Sequence, residues 1–166
     1  MRPKGWGTQE LSVEAGEVEL GMAIGRVMAL DVGKVRVGVA ISDGLGITAQ
    51  PLLTLWRKSR GEDLRSLARL ARKHEVVEVV VGNPLHLSGD VSAWAAKVQE
   101  FAEELRARVE VPVTLWDERL SSVAAHEILD EAGHDRRDRK EIIDQVAAVV
   151  ILEGWMAAQE RAKNSR

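Results

Sequence analysis

Residues 35–41, Val35-Arg-Val-Gly-Val-Ala-Ile41, alternate between apolar and polar or small positions with the period of two that a half-buried strand requires. The short apolar run Val27-Met-Ala-Leu30 precedes them and is closed by Asp31 and Gly33, so the two segments predict a hairpin. A third strand is expected from about Ile47 to Trp56 after the turn Gly44-Leu-Gly46, and Pro51 within it argues for an edge position or a bulge. Residues 61–74 then carry Leu64, Leu67, Ala68, Leu70 and Ala71 at helical spacing, with Arg65, Arg69, Arg72 and Lys73 on the other side, a plain solvent face. Val76-Val-Glu-Val-Val-Val81 is nearly continuous β-branched sequence, as expected of a central strand covered on both faces.

A further helix, about 91–108, places Trp94, Ala95, Val98, Phe101, Ala102 and Leu105 on a core face and leads through Pro112 to the strand Val113-Thr-Leu-Trp116. Helix 122–132 stops near Gly133, a polar stretch runs from His134 to Lys140, and a last helix spans about 141–158. A three-strand meander followed by β-α-β units implies an α/β fold, with one mixed five-stranded sheet and helices on both faces.

Composition narrows the chemistry. The 166 residues suit one domain. With 23 Lys+Arg against 26 Asp+Glu the net charge is −3, so any anion site must be local. Cysteine is absent, which excludes disulfide scaffolds, zinc ribbons and thiol nucleophiles. No apolar run is long enough to span a bilayer and no signal-peptide layout is present, so a soluble cytoplasmic protein without a membrane partner is expected. Residues 1–25, with four acids, two bases and five glycines, read as a flexible extension, and Met22 is an alternative start. Residues 159–166 are taken as a C-terminal tail.

Acids stand at three places in the chain where acids are unusual. Asp31 ends an apolar strand, as a solvated loop acid or as a ligand at the carboxyl edge of a sheet, and Gly33 turns the backbone tightly behind it. Asp117 and Glu118 end another strand; strand alternation sends them to opposite faces, so only one readily joins Asp31. The choice stays open, with Glu118 favoured and Asp117 left as a second ligand or a partner for Arg119. Asp144 heads the apolar stripe Ala147, Ala148, Ile151 and Trp155, where an unpaired carboxylate is costly. Either a cation such as Lys140 neutralises it or it is functional. Two carboxylates about 4 Å apart repel by about 4 kcal/mol at an effective dielectric of about 20, a cost that a hard divalent ion removes. Oxygen-only donors suit Mg²⁺ or Mn²⁺ and hence phosphoryl chemistry.

Candidate nucleic-acid contacts are Lys34 and Arg36 beside the first turn, Asn83 after the central strand, Arg119, and the group Arg136, Arg137, Arg139 and Lys140. That last group is either a solvated loop or a segment that orders on a nucleic-acid backbone. His74, His86, His126 and His134 show no ligand spacing, and Trp94, Trp116 and Trp155 read as packing residues.

Several ordered motifs together are similar to the YqgF/RuvX family: Ala29-Leu-Asp-Val-Gly33, Arg36-Val-Gly-Val-Ala40, Ser42-Asp43, Pro51-Leu52, Val80-Val-Gly82 with Pro84-Leu85 and Gly89, Asp117-Glu-Arg-Leu-Ser121, and Ile143-Asp144 with Ala147-Ala148. The resemblance covers about residues 26–157. It implies an RNase H-like domain over 26–158, similar to RuvC resolvases, and a metal-dependent nuclease maturing the 5′ end of pre-16S rRNA. A Holliday junction resolvase acting on branched DNA is the alternative. The family's acidic positions fall on Asp31, the Asp117-Glu118 pair and Asp144. Asn83, Ser121-Ser122 and the N-terminal extension depart from the family's pattern. Asp31-Val-Gly33 before a hairpin also resembles the phosphate loop of actin-like ATPases, but those need two such domains. A non-cleaving nucleic-acid-binding module keeps the fold without needing intact acids. A resolvase would want a two-fold homodimer, whereas a monomer suffices for trimming rRNA.

Overall fold

The structure, a computed structural model, describes residues 25–85, 88–118 and 136–165, and of 136–138 the backbone alone. Five strands, β1 (Arg26–Val32), β2 (Arg36–Ser42), β3 (Ala49–Trp56), β4 (Val76–Asn83) and β5 (Val113–Asp117), form one sheet in the order β3-β2-β1-β4-β5. The first three make an antiparallel meander, and β4 and β5 add in parallel beside β1. Pro51 sits on the edge strand β3 at a register irregularity, which spares the sheet a missing donor. β3 begins at Ala49 rather than at Ile47 because the Asp43 carboxylate accepts hydrogen bonds from the amides of Leu45, Ile47 and Thr48 and closes them into a turn. β4 is internal as expected, although the middle of the five strands is β1.

Three helices are described: α1 (Arg60–Lys73), α2 (Ala93–Arg106) and α3 (Arg136–Asn164). Ser59 caps α1 by accepting from the Glu62 amide, and Ser92 caps α2 by accepting from the Ala95 amide. The Ser92 cap explains why α2 starts at Ala93 rather than at 91. Two expectations are corrected in α3. The polar stretch 136–140 is helix and not loop, and residues 159–164 are the last turns of the same helix and not a tail. The expected helix 122–132, its capping serines Ser121 and Ser122, Arg119, His86, His126, His134 and residues 1–24 lie outside the described residues.

Strand alternation divides the core in two. On one face Met28, Leu30, Val37, Val39, Val79 and Val81 pack against Leu64 and Leu67 of α1 and against Val98, Phe101 and Leu105 of α2. On the other, Val27, Ala29, Ala40 and Val80 pack against Ala148, Ile151 and Leu152 of α3. The residues facing α3 are small because the helix lies close to the sheet. A Cβ on Gly38 would overlap the Asp144 carbonyl and lie 2.9 Å from the Asp144 Cβ. Gly38→Ala should therefore lower the free energy of unfolding by about 2–3 kcal/mol through forced separation of α3 from β2. Gly44→Ala, where nothing lies within 4 Å, should change it by less than about 0.5 kcal/mol. Urea unfolding midpoints compare the two, and equal midpoints would contradict the close packing.

Candidate active site

Because β3, β1, β4 and β5 run in one direction, their carboxyl ends share one edge of the sheet, and α1 and α2 begin there. α3 crosses the same edge, where Glu141 accepts through its carbonyl from the Thr54 hydroxyl and through its carboxylate from Trp56 Nε1. The candidate acids stand at this edge on the α3 side.

Asp31 shares its face of β1 with Val27 and Ala29, and its neighbour across the ladder is Gly38. The missing side chain at Gly38 lets Asp144 of α3 approach. Burial first, and the Asp144 charge second, push the Asp31 carboxyl up to about 7. Glu118 follows Trp116, which packs against the α3 cluster, while Leu115 packs on the opposite face. Alternation therefore carries Glu118 to the side of Asp31 and leaves Asp117 exposed, in register with Asn83. A Cβ on Gly82 would overlap the Glu118 carboxylate and lie 2.6 Å from Ile151 Cδ1, so Gly82 makes the recess that Glu118 fills. Burial, then Asp31, then Asp117 raise Glu118 to about 8.

Asp144 differs from these two. Its Oδ2 accepts from Arg36 Nε at 2.5 Å, and the Arg36 guanidinium lies 5.3 Å from the Trp56 ring centroid. Burial raises the Asp144 carboxyl, with Arg36 lowering it and Glu141 raising it. The cation beside Asp144 is thus Arg36, expected to touch nucleic acid, and not Lys140, which is exposed. Across the meander, Arg36 at the start of β2 is adjacent to the α3 stripe, a proximity that spacing along the chain does not show. With Asp144 turned to Arg36, no three acids or histidines among the described residues are arranged to hold an ion as they stand. The donor chemistry nevertheless fits one, because Asp31 and Glu118 stand half-buried together with no cationic partner among the described residues.

The other expected contacts scatter. Lys34 is exposed in the β1–β2 turn. The Asn83 side-chain oxygen accepts from Gln99 Nε2 of α2. Arg136 and Arg137 lie in the first turn of α3, Arg139 is half-buried, and Arg119 lies outside the described residues. Trp94 is only half-buried, since one part packs on the core and another lines a cleft.

This sheet order with helices on both faces is an RNase H-like fold, shared with RuvC resolvases. Thermus thermophilus RuvC superposes with a TM-score of 0.50 at 13% identity, covering 80% of this chain and 96% of that one. The same protein in complex with a Holliday junction substrate gives 0.51, covering 81% and 95%. Sequence then defines the family: the model of “RuvX: Holliday junction resolvase” matches residues 25–158, and the chain belongs to that family. Relatives named “Putative pre-16S rRNA nuclease” include one from Myxococcus xanthus, 50% identical over 80% of this chain and 88% of its own length. Another, from Lachnospira eligens, is 46% identical over 82% and 99%. No helix among the described residues is long and apolar enough to cross a membrane.

Raised carboxyl pKa values make a prediction about stability. Between the ordinary carboxylate range and about pH 7–8 the folded state holds protons that the unfolded chain has released, so this contribution is lost as pH rises. In EDTA, Asp31→Asn should therefore melt at a higher temperature than wild type at pH 8.5, with the gap shrinking toward pH 5. Thermal melts at both pH values check this, and a variant no more stable than wild type at pH 8.5 would contradict it.

Proposed function

We propose that the chain is a divalent-metal-dependent nuclease that hydrolyses a phosphodiester bond in the 5′ region of pre-16S rRNA in the cytoplasm. The observation that carries this reading is the meeting of Asp31, Glu118 and Asp144 from three separate elements at one sheet edge, with the charge of Asp31 raising Glu118 and that of Asp144 raising Asp31. The names of relatives at 46–50% identity supply the substrate. Asp31, Glu118 and Asp144 would hold Mg²⁺ or Mn²⁺, with Asp117 as an outer acid, and the bound metal would neutralise the carboxylates and activate water toward phosphorus.

The chain's own residues set the conditions. Asp31 and Glu118 present oxygens from a half-buried recess, where attraction to a cation is stronger than in open water. Arg36 holds the Asp144 carboxylate through Oδ2 at 2.5 Å and so orients its other oxygen. Lys34, Arg119, Arg136, Arg137, Arg139 and Lys140 are proposed to meet the nucleic-acid backbone around this edge, and Asn83 lies beside Glu118, whose amide donates to the Asn83 carbonyl.

A second reading, cleavage of branched DNA by a two-fold dimer, is favoured by the family description and the RuvC-like fold. Cleavage of a pre-16S 5′ leader and of a four-way junction at one salt concentration separates the two. Asp31→Asn, Glu118→Gln and Asp144→Asn should each slow cleavage by about 10²-fold or more. EDTA should abolish it and Mg²⁺ or Mn²⁺ restore it. Binding without cleavage by wild type would make the chain a binding module, and undiminished cleavage by Asp144→Asn would remove Asp144 from the site.

A further inference from the structure

A cleft of about 570 Å³ opens at the same sheet edge on the side away from α3, between the β1–β2 turn and the starts of α1 and α2. Its walls carry Lys34, Arg57, Lys58, Arg60, Lys97 and Trp94, and the single acid among them is Asp63. Asp63 is buried and already committed. Its carboxylate accepts from Arg57 Nε at 3.0 Å and from the Lys58 amide at 3.0 Å. Arg57 also donates to the Gly33 carbonyl at 2.9 Å and lies over the Phe101 ring, which fixes the floor of the cleft to the turn that follows Asp31. Arg60 is paired with Glu104 and Glu100.

Three cations remain. Lys34, Lys58 and Lys97, from three separate segments, converge on one concavity, and none is paired with a carboxylate among the described residues. The Lys34 ammonium is held 5.6 Å from the centroid of Trp94. Uncompensated charge of this kind gives the cleft a locally positive potential although the protein's net charge is −3. The N-terminus of α2, whose first turn carries no acid, adds positive potential in the same place. Scattered surface lysines would not share a wall with a buried Arg57–Asp63 pair that braces the loop between them.

We propose that this cleft binds phosphodiester groups of the polynucleotide strand whose neighbouring bond lies at the acid centre. The inference rests on the nuclease reading for the strand's identity. Lys34 is three residues from Asp31, so its Cα lies within about 11 Å of the Asp31 Cα, near enough for one strand to reach both. The strand crosses the edge over the β1–β2 turn, with the acids on one side of the turn and the lysines on the other.

Fluorescence anisotropy of a labelled single-stranded RNA of about twelve nucleotides, in EDTA at about 50 and 200 mM KCl, tests this without catalysis. Lys58→Ala/Lys97→Ala should weaken binding by about tenfold at the lower salt and reduce the slope of log affinity against log salt by about 1.4, about 0.7 for each lost contact. Lys58→Arg/Lys97→Arg should restore both. Arg69→Ala/Arg72→Ala, on the exposed outer face of α1, should change neither. Unaltered affinity and slope in the double alanine variant would overturn the proposal, as would no RNA binding by wild type. Selective displacement of the RNA by millimolar inorganic phosphate, at constant ionic strength, would make the cleft a free-phosphate site and also overturn it. If the double variant loses binding but wild type cleaves nothing, the nuclease reading falls and the cleft stands. If wild type cleaves and the double variant binds normally, the cleft alone falls.

Discussion

Carboxylates whose proton affinity burial raises are packed together at the end of β1, and the geometry of this edge follows from how close α3 and Glu118 come to the sheet. Gly38 and Gly82 set that distance, one beneath the Asp144 backbone and the other beneath the Glu118 carboxylate. Any side chain at either position would push an acid away from Asp31. The small residues Ala29, Ala40, Ala147 and Ala148 serve the same approach on either side of the interface. Stability and site formation are coupled here, because the contact that closes the second core also concentrates negative charge.

That charge is only partly answered. Arg36, braced against Trp56, neutralises Asp144, whereas burial and the Asp144 charge raise Asp31, and burial and the Asp31 charge raise Glu118, in a recess without a cation among the described residues. A divalent ion is the counter-charge suited to oxygen donors in such a place. The edge is also polarised across the sheet. Acids lie on the α3 side and unpaired lysines on the α1–α2 side, with the short β1–β2 turn between them. A polyanion approaching this edge is attracted by one half and needs a metal to enter the other.

Much of the fold is legible in local pattern. The β-branched run 76–81 reports an internal strand and the helical stripes of α1 and α2 each report one buried face, as the structure has them. The alternation of residues 35–41 reports a strand but not that β2 is buried on both faces, with α1 and α2 on one side and α3 on the other. Boundaries slipped where a side chain overrode the pattern: Asp43 holds Ile47 in a turn, and Ser92 delays α2. Residues 136–140 and 159–164 were too polar to show an apolar stripe, yet they continue a helix whose middle is anchored on the sheet. A helix propagates past its anchor at little cost once nucleated.

Acids at strand ends and at the head of an apolar stripe are anomalies visible one element at a time, so Asp31, Glu118 and Asp144 can be singled out before any coordinates exist. Their partners cannot. Linear spacing points Arg36 to nucleic acid and Trp94 to the core and offers Lys140 as one of two readings of Asp144, because it says nothing of which strand lies under which helix. The cleft of Lys34, Lys58 and Lys97 belongs to the same class, since its members sit on three segments that only the parallel course of β1, β3 and β4 brings to one edge. Periodicity and desolvation act within an element and leave their mark on neighbouring residues. Charge pairing acts through space, and chain topology alone determines which charges meet.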